Sequence, residues 1–130
     1  MRAMRSKVLV GGLTSLVAGG LLVAAAPSAN AVEKVKRGDC SKQSTWKLEL
    51  DTEAGKIEVD FDAKTPKAGK TWKYKVKQDG VVRHKGKTVS ERDGDVEVDK
   101  KVNNRKGKDT IVVRVEQPKS GEVCKAKLTI

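Results

Sequence analysis

The chain has 130 residues, of which 28 are Lys or Arg and 17 are Asp or Glu, with two cysteines and one histidine. This length allows one domain and excludes a barrel enzyme, which needs about 250 residues. One histidine and two cysteines cannot supply four nitrogen or sulfur ligands to a structural zinc ion. We therefore expect a small basic protein with no bound metal and no other cofactor.

Residues 1–31 have the features of a secretory signal peptide. A short basic segment without acids is followed by an uncharged run rich in Val, Leu, Ala and Gly, and Ala29-Asn30-Ala31 then offers small residues for a signal peptidase. The apolar run approaches the length of a membrane span, but its four glycines and the cleavage site favour removal over a retained anchor. We expect cleavage after Ala31 and a secreted, extracellular protein that does not span a membrane after processing.

The processed chain, residues 32–130, keeps a net charge of about +8 because the signal peptide removes three basic residues. We divide it into an N-terminal lead-in, residues 32–43, and a folded domain, residues 44–130. Apolar and polar residues alternate through the domain, which places each apolar set on one face of a strand. No segment has a comparable helical pattern, so the fold class is all-β.

Turn signals such as Asp79-Gly80 divide the domain into seven strands. Short strands with turns every ~8–12 residues are typical of an antiparallel, immunoglobulin-like β-sandwich. A five-stranded barrel is the alternative. The predicted strands span residues 44–51, 56–62, 71–78, 81–85, 95–102, 109–116 and 123–130.

The two cysteines are expected to form a disulfide, because an exported protein meets an oxidising environment. Cys40 precedes the first predicted strand and Cys124 lies at the start of the last one. A bond between two strand beginnings implies that the first and last strands run parallel, side by side. A redox-active pair would need close spacing such as C-x-x-C, so we interpret the bond as structural.

Three short motifs resemble those of a known group of proteins. They are Cys40-Ser41-x-x-Ser44-x-Trp46-Lys47-Leu48, Gly55-x-Ile57-Glu58-Val59 and Gly121-Glu122-x-Cys124. Together they resemble small secreted actinomycete proteins of unknown function, across most of residues 40–130. The resemblance implies a single secreted domain with one disulfide. It implies no activity and no functional residue, because the group has none established.

The sequence offers little for catalysis, and we expect a protein that is not an enzyme. His84 lies in the lysine-rich segment Arg83-His84-Lys85-Gly86-Lys87, where a solvated strand residue is expected rather than a general base. No glycine-rich phosphate loop is present. The many acids lie at alternating strand positions, where cross-strand charge pairing explains them.

Two further features have structural explanations. The tripeptide Arg37-Gly38-Asp39 matches an integrin-recognition sequence, but we expect a turn into the first strand. The aromatic residues share the parity of the aliphatic core positions, which predicts a core rather than a platform for sugar stacking. These aromatic residues are Trp46, Phe61, Trp72 and Tyr74.

The charged residues sort by predicted sheet. In an immunoglobulin-like sandwich the first, second and fifth of these strands form one sheet, and the third, sixth and seventh form the other. Outward positions of the first group carry Lys47 and eight carboxylates, namely Glu49, Asp51, Glu58, Asp60, Asp62, Asp95, Glu97 and Asp99. Outward positions of the second group carry one acid, Glu116, and six cations, namely Lys73, Lys75, Lys77, Arg114, Lys125 and Lys127. The fourth strand and the loop after it add Arg83, Lys85 and Lys87.

This sorting predicts salt-sensitive binding of anionic cell-wall or extracellular polymers by the basic sheet face. Specific nucleic-acid binding is disfavoured, because there are no exposed aromatics for stacking and no helix for groove reading. The alternative is a protein-interaction or inhibitor module that acts through a sheet edge or through loops. The first choice among the loops carries Arg105, Lys106 and Lys108. The acidic face suggests head-to-tail contacts between copies. A weak divalent-cation site among Asp60, Asp62 and Asp95 is disfavoured, because regular strands lack the loop geometry that calcium usually requires.

Overall fold

A computed structural model describes residues 31–130 as two packed antiparallel β-sheets. The predicted signal peptide lies outside the described residues except for Ala31. The strands are β1 (Glu33–Asp39), β2 (Thr45–Glu53), β3 (Lys56–Lys64), β4 (Thr71–Gln78), β5 (Val81–Val89), β6 (Asp95–Asn103), β7 (Thr110–Gln117) and β8 (Glu122–Thr129). One sheet has the order β1-β2-β3-β6 and the other β5-β4-β7-β8. The predicted all-β sandwich with one disulfide is confirmed.

The sandwich has eight strands rather than seven, because part of the expected lead-in forms the edge strand β1. This strand pairs with β2, with Glu33 opposite Asp51 and Asp39 opposite Thr45. Its inward positions hold Lys34, Lys36 and Gly38. Without apolar residues on its inner face, β1 lacks the alternation that indicates a strand.

The core between the sheets is built from the alternating apolar residues. Trp46 is 8% exposed, Phe61 is fully buried and Trp72 is 1% exposed. Tyr74 is half-buried and packs against the same cluster. Trp46 and Phe61 stack with ring centroids 6.4 Å apart. The predicted aromatic core is confirmed, and neither tryptophan is available for sugar stacking.

The tripeptide Arg37-Gly38-Asp39 forms the end of β1, so the expected turn is wrong. The Trp46 ring packs over Gly38, where an added Cβ would lie 2.5 Å from Trp46 Cζ2. Trp46 Nε1 also donates a hydrogen bond to the Asp39 carbonyl oxygen at 3.2 Å. The close approach of the indole therefore explains why glycine occupies this position.

The disulfide between Cys40 and Cys124 joins the two sheets at one side of the sandwich. β1 runs antiparallel both to β2 and to β8, since Lys34 reaches Thr129 and Lys36 reaches Lys127. β2 and β8 therefore run parallel, as expected. They are not side by side in one sheet, however, because β1 takes the edge position next to β2.

The free edge of β8 is closed by side-chain and backbone contacts from the β1 side. The Lys34 and Lys36 ammonium groups donate hydrogen bonds to the Thr129 and Lys127 carbonyl oxygens at 3.2 and 3.1 Å. Ser41 N donates to Val123 O at 2.8 Å. These contacts satisfy carbonyl groups that an edge strand otherwise leaves open.

A buried carboxylate fixes the turn between β1 and β2 beside the disulfide. Glu122 is 5% exposed. Its Oε2 accepts hydrogen bonds from Ser44 N at 2.8 Å and Lys42 N at 3.2 Å, and its Oε1 accepts one from the Ser44 hydroxyl at 3.0 Å. The β1–β2 turn is thereby held against the start of β8.

The opposite side of the sandwich is bridged by His84 and Gln78. His84 Nε2 lies 2.9 Å from the Lys101 carbonyl oxygen, and Gln78 Nε2 donates to the Asn103 carbonyl oxygen at 2.7 Å. Both contacts reach the free edge of β6 from the other sheet. His84 is a strand residue, as expected, but its half-buried ring also joins the two sheets.

Replacing both disulfide cysteines, in the variant C40S/C124S, should lower the free energy of unfolding by about 4 kcal/mol. The bond spans 84 residues, and the entropy that such a cross-link removes from the unfolded chain has this magnitude. Chemical denaturation of the two proteins measures the difference. A loss below about 1 kcal/mol would show that the edge contacts hold the sheets together without the bond.

Candidate functional site

The outward surface of sheet β5-β4-β7-β8, which we call the basic face, carries eight cations and one carboxylate. The six cations predicted from the sequence all lie on this one surface, joined by two more on β5. The cations are Lys73, Lys75, Lys77, Lys85, Lys87, Arg114, Lys125 and Lys127, and the carboxylate is Glu116.

Strand register aligns four of these cations directly opposite one another. Lys75 pairs with Lys85 on one side and with Arg114 on the other, and Arg114 pairs with Lys125. We call this line the central row. It is about 14 Å long, because neighbouring strands lie about 4.8 Å apart. Like charges directly opposite each other are destabilising, so the row carries an electrostatic cost that neutral side chains would avoid.

The single carboxylate on the basic face contacts one of these cations. Arg114 Nη1 and Glu116 Oε1 are 2.8 Å apart, with both side chains about half exposed. Glu116 also lies opposite Lys73 on β4. Within residues 31–130, no other cation of the basic face forms an ion pair. The surface therefore keeps most of its positive charge uncompensated.

A bulge in β5 removes one predicted cation from this face. Val76 lies opposite His84 while Lys77 lies opposite Val82, so Arg83 is the extra residue. Its Nε donates a hydrogen bond to Gln78 Oε1 at 3.0 Å. The expectation that Arg83 extends the basic face is wrong, because the bulge directs it toward the sandwich edge and Val82 takes the outward position.

The outward surface of sheet β1-β2-β3-β6, which we call the acidic face, carries the eight carboxylates predicted from the sequence. Asp60 lies opposite Glu49 on β2 and Asp99 on β6, so three acids form a cross-strand line. Five cations also occupy outward positions of this sheet, namely Arg37, Lys47, Lys56, Lys64 and Lys101. The predicted sorting of charge is therefore clear on the basic face, whereas the acidic face, on the opposite side of the sandwich, is rich in acids but carries both signs.

A hydrogen bond, desolvation and neighbouring carboxylates raise pKa values on the acidic face. The pKa of Glu49 is raised from 4.5 to about 7, first by a side-chain hydrogen bond with Glu33, then by desolvation and by the Glu33 and Asp60 charges. Desolvation, together with Glu33 and Glu53, also raises the pKa of Asp51. The Glu33 side chain on β1 is thus the main neighbour that raises the pKa of Glu49 on β2.

The loop with Arg105, Lys106 and Lys108 lies at one end of the sandwich, away from the basic face. All three residues are exposed. Asp109 at the end of the loop is fully buried, and its carboxylate accepts hydrogen bonds from Gln78 Nε2 at 2.9 Å and from Arg105 N at 3.2 Å. Hydrogen bonds to the buried Asp109 carboxylate therefore restrain the loop, while its three cations remain exposed to solvent.

No three His, Cys, Asp or Glu side chains between residues 31 and 130 are grouped as a metal site would require. The suggested cation site among Asp60, Asp62 and Asp95 therefore has no support from the geometry. In the same part of the chain, no helix is long and apolar enough to span a bilayer.

Comparison with protein-family models finds no match for this chain, and comparisons with curated proteins and with solved structures also find none. The resemblance to small secreted actinomycete proteins therefore stays a prediction. The candidate site rests on strand register, exposure and charge alone.

The raised pKa of Glu49 predicts that stability falls as pH rises from 4.5 to 7. The folded state holds this proton more tightly than the unfolded chain does, so the stabilisation is complete below pH 4.5 and is lost as pH passes about 7. The variant Glu49→Gln keeps a neutral donor toward Glu33, so it should flatten this dependence and be more stable than wild type at pH 8. Thermal unfolding across pH measures this, with Glu91→Gln as a control outside the sheets. A wild-type pH profile in Glu49→Gln would contradict the raised pKa of Glu49.

Reversing the charge at Lys75 should stabilise the fold. The variant Lys75→Glu turns two repulsive cross-strand pairs, with Lys85 and with Arg114, into attractive ones, and we expect a gain of about 1 kcal/mol. Lys75→Gln should give a smaller gain, and Lys67→Glu in a loop should give none. Denaturant unfolding at low salt measures the order. A loss of stability in Lys75→Glu would show that the central row is not under electrostatic strain.

Proposed function

We propose that this protein is a secreted, non-enzymatic binding domain that associates with anionic polymers of the cell wall or extracellular matrix through the basic face. The observation that supports this is the concentration of eight cations and one acid on one sheet surface. Surface charges that serve only solubility mix both signs on each face. A surface of one sign attracts a partner of the other sign.

The spacing of the cations favours a polymer over a small anion. Outward neighbours lie about 5 Å apart across strands and about 7 Å apart along them, which is within the screening length of about 8 Å at physiological salt. Their fields therefore overlap into one extended patch. A ligand with many charges gains from the whole patch, whereas a single anion gains from only two or three cations.

The side-chain types favour weak selectivity. Seven of the eight cations are lysines, whose compact charge and flexible stem fit many anion geometries. The aromatic side chains of the core are buried or half-buried beneath the sheets, so they are not available for base stacking. We therefore expect recognition of charge density rather than of a particular sequence or sugar.

Secretion is part of the proposal. The Cys40–Cys124 disulfide is compatible with an extracellular location, because such bonds persist in oxidising compartments. Anionic polymers that such a protein meets outside the cell include phosphate-rich wall polymers and acidic polysaccharides.

A second candidate is a protein-interaction or inhibitor module that uses the loop with Arg105, Lys106 and Lys108. The buried carboxylate of Asp109 favours it, because contacts to Gln78 and to Arg105 N restrain the loop. A restrained loop loses little entropy on binding a protein. This candidate predicts a fixed stoichiometry and little dependence on salt.

Co-sedimentation of the secreted protein with purified cell walls, with and without their anionic polymers, separates the two candidates. Binding through the basic face should require the polymers and weaken steeply with salt. The variant K73Q/K75Q/K127Q should bind at least tenfold more weakly. The variant R105Q/K106Q/K108Q removes the same charge from the loop and should stay within about twofold of wild type. Wall binding that survives the first variant, or that ignores salt, would contradict the proposal.

A further inference from the structure

The central row is the one line on the basic face that crosses all four strands of its sheet through cations alone. The next line on one side contains Glu116 and Val123, and the next on the other side contains Val82 and Val112. A linear ligand laid across the strands on the central row meets positive charge at every strand. On either neighbouring line it meets an acid or apolar side chains.

The rival path runs along β4, where Lys73, Lys75 and Lys77 occupy successive outward positions. This path offers three cations rather than four. At one end Lys73 lies opposite Glu116, and at the other end Lys77 lies between Val82 and Val112. The positive electrostatic potential along β4 is therefore highest at Lys75, where this path crosses the central row.

Resting on the proposed function, we propose that a linear phosphodiester polyanion lies across the strands along the central row, Lys85–Lys75–Arg114–Lys125. Its negative charges would relieve the three like-charge contacts in the row. Arg114 at the third position adds a planar group that can hold one phosphate through two hydrogen bonds, while the lysines act as point charges.

Glu116 acts as an internal competitor for this ligand. Its carboxylate holds the Arg114 guanidinium at 2.8 Å in the free protein. Glu116 contacts only Nη1 of the five-donor guanidinium, so a phosphate can bind the remaining N–H groups but must then lie close to a repelling carboxylate. Glu116 therefore weakens binding without touching the other three cations of the row.

The chemistry required is a flexible chain with one negative charge in each short repeat, as phosphodiester polymers have. Two sources share it, namely poly(glycerol phosphate)-type wall polymers and single-stranded nucleic acid. Among residues 31–130, no exposed aromatic side chain is available to stack bases, so a nucleic acid should gain nothing beyond its charge. The row assignment thus predicts that DNA of equal charge binds no more tightly than poly(glycerol phosphate).

Two charge-matched triple variants test the path of the polymer. K85Q/R114Q/K125Q removes three cations of the central row and keeps every lysine of β4. K73Q/K77Q/K127Q keeps the whole row and removes two of the three β4 lysines. Dissociation constants for poly(glycerol phosphate) at about 50 mM salt should rise at least tenfold in the row variant and at most threefold in the flanking variant. Circular dichroism checks that both variants are folded.

The other outcomes separate this inference from the proposed function. A larger loss of affinity in the flanking variant would place the polymer along β4, and equal losses in the two variants would indicate diffuse binding. Either result would contradict binding along the central row but would leave the basic face as the binding surface. If neither variant weakens binding, the proposed function itself fails. Tighter binding of single-stranded DNA than of poly(glycerol phosphate) would also contradict the claim that affinity depends on the charge of the ligand alone.

The variant Glu116→Gln gives an independent readout of the row. Freed from its carboxylate, Arg114 should bind the polymer severalfold more tightly, and the gain should vanish when Glu116→Gln is combined with Arg114→Gln. The matched control Glu91→Gln removes one acid from a turn outside the sheets and should change affinity less than twofold. A gain that persists without Arg114 would show that net charge, and not the row, decides affinity.

Discussion

The alternation of side chains across each strand governs both the core and the surface of this domain. Inward positions bury Leu, Ile, Val and aromatic side chains between the two sheets, and the same pleat forces the intervening residues outward. Once antiparallel register is set, outward residues of neighbouring strands fall directly opposite each other. A shift of one residue in β4 would bury Lys75 and expose Trp72 and Val76. The burial of the core therefore fixes the charged rows.

The sides of the sandwich show how two sheets with polar edges are joined. On one side the disulfide, Glu122 and the lysines of β1 hold β8. On the other side His84 and Gln78 reach the edge of β6. Each side thus uses donors from one sheet to satisfy carbonyl groups of the other. These contacts come from long or polar side chains and from the disulfide.

The sequence predicted the parts of the fold whose signal is apolar periodicity. Strands with an inward apolar set, such as β3 with Ile57, Val59 and Phe61, were located to within two residues, and the sorting of charge by sheet followed from them. β1 was missed because its inward positions hold lysines that cover an edge instead of filling a core. The contacts of these lysines are with β8, which is distant in sequence.

The sequence was sufficient to predict the basic face, but it was not sufficient to predict the central row. Parity alone places Lys75 and Arg114 outward, whereas their direct opposition depends on the register between β4 and β7. The bulge at Arg83 is likewise invisible to periodicity, because one extra residue shifts the parity of only part of β5. The ion pair between Arg114 and Glu116 needs side-chain geometry.

We propose that the basic face binds an extended anion by electrostatic attraction. The salt dependence of poly(glycerol phosphate) binding to this protein tests the proposal most directly. Each phosphate neutralised on a flexible strand contributes about 0.7 to the negative slope of log K against log salt concentration. Engagement of the four cations of the central row therefore predicts a slope of about −3. A slope near zero, or no binding at low salt, would contradict the account.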